Sequence, residues 1–459
     1  MRATILGFVV LTLVTGAEPC PASDDAGAPG PFPAGRTRVT VTRPDATTFT
    51  ALLYYPSTAA GNNTPFDPSG APYQAVSFGH GFLQQPTMYD STLRHLATHG
   101  YFAIATESYT GFSPNHSKYA DDLLYCLTWL ETASADPNSP YHTALDIDAG
   151  YGLSGHSMGG GASILAAGRD ARVRALANLA AAETSPSAIA VMDDLTIPIS
   201  LIAGSQDAIT PPGQHQIPMY NAGNAPKQLP MIIGGSHCGF MDSSVIFCDS
   251  GSLPRAQQLE LTRRLLVEFF DLNLRSDQSR WKVVWGPDAG TDPRVSLTHE
   301  SGITVAPDAP EVFIRAGTDT PVPFTVTNSG HLPASLLPGV EDSPWPAAAD
   351  PVQTAELAPA QSEQVHAVFS PPPDAAGQSA EVLLASRWMR DPGTRGWGTI
   401  TVTVRCPSDW NLDGDVNTLD FIAFLNQWSD GHPDADFNGD GIVNTADLLA
   451  YLNAYNEGC

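Results

Sequence analysis

From Arg38 onward, short apolar runs alternate with longer mixed segments, and that rhythm predicts strands and helices in turn. Residues 39–42 and 49–56 read as paired strands, and 75–81 and 101–106 as apolar strands, the first ending in glycines. Between the last two, residues 92–100 read as a helix stopped by Gly100. The alternation continues with a helix over 119–133, a short strand before residue 155, strands at 173–180 and 198–204, an apolar run at 231–235 and a long amphipathic helix over 253–274. Strands alternating with helices predict an α/β fold: a mainly parallel sheet covered on both faces.

After Arg275 the texture changes. Residues 283–285, 312–314, 324–327, 365–369, 382–385 and 399–404 are short β-rich runs separated by Pro, Gly and Asp, the pattern of a β-sandwich. No catalytic constellation is visible there, so 280–405 reads as an accessory or spacer domain, with carbohydrate binding as the alternative role. Residues 18–36 lack periodicity and read as a linker.

A chain of 459 residues exceeds one ordinary core. The predicted division is a signal peptide (1–17), the linker (18–36), a catalytic domain (37–276), the sandwich (280–405) and a terminal module (406–459). Met1-Arg2 followed by a short apolar run and Thr15-Gly16-Ala17 has the form of a secretory signal, and no other run is apolar enough to span a bilayer. Six cysteines fit an oxidising, extracellular compartment. Cys238 and Cys248 flank a short loop and Cys406 and Cys459 bracket the terminal module, which suggests two local bridges; Cys20 and Cys126 are left over. A net charge of −26 excludes nucleic acid as a partner. Much of that charge is local: after Arg405 there are ten Asp/Glu and no Lys or Arg, which points to cation binding.

The chemistry centres on Gly155-His156-Ser157-Met158-Gly159, a G-x-S-x-G nucleophile elbow between a predicted strand and a small-residue helix. Such a serine needs a base and an orienting acid, in the chain order serine, acid, histidine, each just after a strand. Asp207 follows the strand ending at Ala203, and His237 follows the run at 231–235. Asp193 and Asp194 also lie nearby, but in a predicted helical segment before that strand. The oxyanion donors would be the backbone N–H groups of Met158, next to the nucleophile, and Phe82, in the loop after His80-Gly81. The predicted reaction is two-step acyl transfer from an ester substrate through Ser157.

Residues 74–275 resemble the secreted α/β-hydrolases that include cutinases, poly(ethylene terephthalate) hydrolases, chlorophyllases and platelet-activating-factor acetylhydrolases. The likeness is carried by Gly155-His156-Ser157-Met158-Gly159-Gly160-Gly161, by Phe82 ahead of His99-Gly100, by Gln206-Asp207-Ala208-Ile209-Thr210-Pro211 and by Gly234-Gly235-Ser236-His237. It implies the α/β-hydrolase fold and ester hydrolysis without a catalytic cofactor. The chain departs from the polyester hydrolases near Ala181-Ala182-Glu183, where they carry a substrate-packing tryptophan and this sequence has none.

The terminal module holds a duplicated loop. Asp409, Asn411, Asp413, Asp415, Asn417 and Asp420 recur as Asp436, Asn438, Asp440, Ile442, Asn444 and Asp447, with Gly414 and Gly441 at the sixth position. Oxygen ligands at positions 1, 3, 5, 9 and 12, with the backbone carbonyls of Asp415 and Ile442, match a Ca²⁺ loop of EF-hand type. An apolar helix segment follows each loop. Paired loops with Asp at position 12, each followed by one helix, resemble type I dockerins over 407–457. The resemblance implies two structural Ca²⁺ ions and a cohesin-like partner contacting Thr418-Leu419 and Thr445-Ala446. The competing readings are a serine peptidase of related fold and a non-catalytic, dockerin-bearing adhesion or scaffold protein.

Overall fold

The computed structural model describes residues 25–391 and 393–457, so the predicted signal peptide, Cys20 and Cys459 lie outside the described residues. Ten strands form the first sheet: β1 (Ala34–Thr42), β2 (Thr48–Pro56), β3 (Gly61–Asn62), β4 (Gln74–Gly79), β5 (Tyr101–Thr106), β6 (Tyr151–His156), β7 (Val173–Leu179), β8 (Ile199–Gly204), β9 (Lys227–Ile232) and β10 (Val295–Glu300). Their order is β10-β9-β8-β7-β6-β4-β5-β2-β1-β3. From β5 through β4 and on to β9 the strands run parallel; β2 and β10 join antiparallel at either side. Strands β4, β5, β6 and β8 are buried at every position, as continuous apolar runs require when both faces are covered.

The covering helices are α1 (Asp90–Thr98), α2 (His116–Ala135), α3 (Met158–Ala167), α4 (Ala188–Met192), α5 (Gln216–Ala222) and α6 (Arg255–Leu274). Leu123, Leu127, Ile164, Met192 and Met219 of α2–α5 pack with Leu53, Phe102 and Leu153 in one cluster. Leu93 and Leu96 of α1 and Leu261, Leu266 and Phe270 of α6 pack with Val76 and Phe78 in another. The sheet thus separates two apolar cores, and its carboxyl edge is left for loops.

Three expectations need correction. Residues 25–36 are not a free linker: Ala26 is buried, His95 and His99 donate from Nε2 to the carbonyls of Ala26 (2.8 Å) and Ala28 (2.9 Å), and β1 already begins at Ala34. These contacts join backbone carbonyls to histidines far along the chain, so they leave no periodic trace. Residues 283–285 are not a strand. Residues 283 and 284 end a helical turn, α7 (Trp281–Val284), and Trp285 caps it, with Trp281, Val284 and Trp285 buried in the α6 core. The i, i+3, i+4 spacing buries one helical face, which outweighs the β-branched pair. Finally, the sheet does not stop at 276, because β10 pairs along β9 from Val295 to Glu300.

Beyond β10 come β11 (Ile303–Pro307), β12 (Glu311–Arg315), β13 (Thr320–Asn328), β14 (Ala334–Glu341), β15 (Ala347–Asp350), β16 (Glu356–Leu357), β17 (Ser362–Phe369), β18 (Ser379–Trp388) and β19 (Arg395–Arg405). They form two sheets, β11-β13-β17-β15 and β12-β19-β18-β14-β16. Alternate residues of both, among them Phe324, Val326, Val365, Phe369, Leu384, Ile400 and Val402, meet in one apolar cluster. This unit joins the first through Trp397, whose Nε1–H donates to the Trp285 carbonyl (2.9 Å), and through Arg395, stacked on Trp281.

The chain ends in α8 (Thr418–Ser429) and α9 (Thr445–Glu457), packed around Trp410, Phe424, Ala435 and Tyr451. The Phe424 and Tyr451 rings stack at 4.0 Å. Arg315 of β12 donates to the Trp410 carbonyl (2.6 Å) and lies 3.7 Å over its ring, fastening this small core to the β unit. Cys238 and Cys248 are bonded, Cys126 is buried and free, and Cys406 is in a disulfide. Among the described residues no helix is long and apolar enough to cross a membrane.

Candidate functional site

Ser157 sits between β6 and α3 at φ 56°, ψ −120°, a region that L-residues enter only when the surroundings force it. The forcing is visible. The Ser157 N–H donates to the Leu179 carbonyl (3.0 Å), and its own carbonyl accepts from Ala182 (2.9 Å) and Gly161 (3.1 Å), pinning the turn to the end of β7. A Cβ on Gly155 would stand 2.4 Å from the Gly159 carbonyl oxygen, and one on Gly159 would stand 2.1 Å from that of Gly79. Only glycine lets α3 approach the sheet so closely.

Asp207 and His237 lie after β8 and β9, on the same carboxyl edge. His237 Nδ1–H donates to Asp207 Oδ2 at 2.7 Å, and both residues are buried. The carboxylate is held from every side: Oδ1 accepts from the backbone N–H of Ile209 (2.9 Å) and Thr210 (2.7 Å), and Oδ2 also accepts the Thr210 hydroxyl (2.8 Å). This fixes the imidazole tautomer with Nε2 free to take a proton. Among the described residues no hydrogen bond joins the Ser157 hydroxyl to His237. Proximity is set through the neighbour of Ser157: the rings of His156 and His237 lie 4.4 Å apart. Serine–histidine contacts commonly tighten only around substrate.

A buried chain of polar groups runs behind this pair. The Gly81 N–H donates to Tyr89 Oη (3.1 Å), the Tyr89 hydroxyl donates to His156 Nδ1 (2.8 Å), and His156 Nε2–H donates to the His237 carbonyl (3.2 Å). It links the loop carrying Phe82 to the loop carrying His237. Full burial, with His237 beside it, pushes the His156 imidazole well below its usual range, so it stays neutral and keeps the tautomer the chain requires. Phe82 is exposed, and neither its N–H nor that of Met158 donates to a protein acceptor among the described residues. Sequence reasoning gave no role in the site to Thr210, Tyr89 or His156; Thr210, three residues past the acid, and His156, next to the serine, lie within the acid and serine motifs, whereas Tyr89 carried no local signal. Asp193 and Asp194 follow α4 and take no part in these contacts.

In the terminal module Asp409, Asp413 and Asp420 bring one carboxylate oxygen each within 4.8 Å of one another. Asp409 Oδ2 accepts the Gly414 N–H (2.9 Å), and Asp420 accepts those of Asn411 (3.0 Å) and Asn417 (2.8 Å). The second loop repeats the pattern: Asp436 accepts from Gly441 (2.7 Å), and Asp447 from Asn438 (3.1 Å) and Asn444 (2.7 Å). Asp409 Oδ1 is buried with no protein partner. That orphaned oxygen inside a carboxylate cluster fits a hard cation. Asn417 Oδ1 and Asn444 Oδ1 instead accept from Leu419 (2.8 Å) and Ala446 (2.7 Å), and their Nδ2 groups donate to the position-7 carbonyls of Asp415 and Ile442.

A mixed ten-stranded sheet, with a strained serine turn and a bonded acid–histidine pair on its carboxyl edge, defines an α/β-hydrolase. The family model described as PETase, PET hydrolase-like, matches residues 12–248, and the chain belongs to that family. Chlorophyllase-1 of Arabidopsis thaliana is 32% identical over 89 residues, 19% of this chain. The chain spans about a quarter of that curated relative (26%).

Proposed function

We propose that the protein is a secreted serine carboxylic-ester hydrolase, tethered through its terminal module. The observation that carries the reading is the Asp207–His237 hydrogen bond on the same sheet edge as the strained Ser157 turn, in a chain of the PET hydrolase-like family. His237 Nε2 takes the proton of Ser157 as its oxygen attacks the ester carbonyl. The Met158 and Phe82 N–H groups hold the oxyanion, and the imidazolium returns the proton to the departing alcohol. Water then repeats the sequence on the acyl-enzyme. Asp207 orients the ring and stabilises its charged form. The stretch Ala181-Ala182-Glu183 after β7 lacks the tryptophan that packs on aromatic substrates in polyester hydrolases, which argues against stacked aromatic polyesters as substrates.

The two-sheet unit acts as a β-sandwich spacer. The terminal module is dockerin-like: Asp409, Asp413, Asp420 and their counterparts hold two Ca²⁺ ions, which neutralise clustered carboxylates, and a cohesin-like protein docks at Thr418-Leu419 and Thr445-Ala446. A disulfide between Cys238 and Cys248 agrees with an extracellular setting.

The test is hydrolysis of p-nitrophenyl acetate, butyrate and palmitate by the parent and by Ser157→Ala. The parent should turn over and the variant, with an unchanged fold, should fall to the uncatalysed background. Turnover retained in Ser157→Ala would sink the assignment.

A further inference from the structure

We propose that Asp249 is a positioning residue for the catalytic pair, holding the acid loop and the histidine loop in register; the inference rests on the hydrolase reading above. Its Oδ2 accepts the backbone N–H of Ala208 (3.0 Å) and of His237 itself (2.9 Å), and its Oδ1 accepts that of Cys238 (2.9 Å). Ala208 is the residue after Asp207. One carboxylate therefore grips the main chain of His237 and of the residue that follows Asp207; the two partners of the 2.7 Å Asp207–His237 bond lie 12 and 42 positions before it in sequence. Charged acceptors make the stronger hydrogen bonds to N–H donors, and three donors converge on this one.

The placement of Asp249 is itself built. It follows Cys248, and the Cys238–Cys248 bond brings the strand of chain carrying it back to the residue after His237. A second clip lies alongside: the Gln206 N–H donates to the Gly235 carbonyl (2.8 Å), while Gln258 of α6 brackets Ser236 through both its amide groups (3.0 and 2.8 Å). Gln206 ties the two loops together and Gln258 anchors the histidine loop to α6; Asp249 holds the backbone of His237 and of the residue after Asp207. Asp249 touches no reacting atom, and its effect must pass through the orientation of Asp207 and His237.

The experiment compares the full-length parent with Asp249→Ala and Asp249→Asn, each with its Cys238–Cys248 bond intact. Misplacing a catalytic pair by about 1 Å costs on the order of 100-fold in rate. Asp249→Ala should lower kcat roughly 10- to 100-fold on p-nitrophenyl butyrate with KM within about threefold. Asp249→Asn, which keeps one oxygen acceptor, should recover most of the loss and covers the case in which the alanine variant does not fold. A second readout is independent of turnover: the far-downfield proton resonance of His237 Nδ1–H should persist in the parent and broaden or vanish in Asp249→Ala. A folded Asp249→Ala with kcat within twofold of the parent and an unchanged resonance overturns the proposal. Should the parent's turnover survive Ser157→Ala, the hydrolase reading fails, and the resonance still decides whether Asp249 positions His237.

Discussion

Asp207 and Asp409 are both buried carboxylates, 5% and 1% exposed, and they are held in opposite ways. Asp207 receives four protein donors, from Ile209, the Thr210 amide and hydroxyl, and His237. Asp409 receives one, from Gly414; its other oxygen has no protein partner, and the residue clusters with Asp413 and Asp420. Folding completes the first site. In the second, folding gathers three carboxylates and leaves one buried oxygen of Asp409 without a protein donor, an arrangement that suits a cation. The catalytic edge should therefore work with the protein alone, and the terminal module should depend on a ligand for its stability.

The comparison breaks most visibly at Asp207. In Asp207→Asn the amide can no longer accept from His237 Nδ1–H and Thr210 together, and the imidazole loses its enforced tautomer. The rate should fall on the order of 10³- to 10⁴-fold with little change in melting temperature. A loss under tenfold would show that Asp207 is not the orienting acid. A chelator should do the reverse. Added to the holoprotein, EGTA should leave ester turnover within about twofold while lowering the stability of the terminal module. Calcium at 100 times its dissociation constant contributes about 2.7 kcal/mol per site. Calorimetry and the fluorescence of Trp410, within the first loop, would register the change; identical melts with and without calcium would count against both loops.

The two sites also differed in how far they could be read from sequence. The acidic loops were legible because their Asp and Asn residues recur at fixed short spacings, and the structure gathers Asp409, Asp413 and Asp420 as that spacing requires. Their Asn members were less so: Asn417 and Asn444 turn to cap α8 and α9, a competing use that the same spacing permits. On the sheet's carboxyl edge the placement of Ser157, Asp207 and His237 was legible because each closely follows an apolar strand. What surrounds them was not. Tyr89 reaches His156 across 67 residues, and Asp249 reaches Ala208 across 41. Contacts between a lone polar side chain and a distant backbone group have no period and no motif. The same blindness hid the 25–36 segment, whose anchors are His95 and His99.

Those two histidines sharpen the contrast with protons in place of calcium. Their rings lie 4.6 Å apart, each donating to a backbone carbonyl, an arrangement finished by the fold with both rings neutral. Burial first, then the neighbouring His99 and Arg263, pushes His95 down to about 4 from an ordinary value of 6.5. Between those two values the unfolded chain takes up a proton that the folded chain refuses, so stability is lost as pH falls from 6.5 towards 4. The shift corresponds to on the order of 2 kcal/mol between pH 7 and pH 5. Glu268 works against it: burial raises its carboxyl to about 7, so the folded state binds that proton first and gains stability over part of the same range. Comparing parent with His95→Gln cancels the Glu268 contribution, because the amide keeps a donor for the Ala26 carbonyl and removes only the titration. The variant should melt close to the parent at pH 7.5 and lose less stability by pH 5. Parallel melting curves across that range would mean that the paired histidines are not what makes the hydrolase unit sensitive to acid.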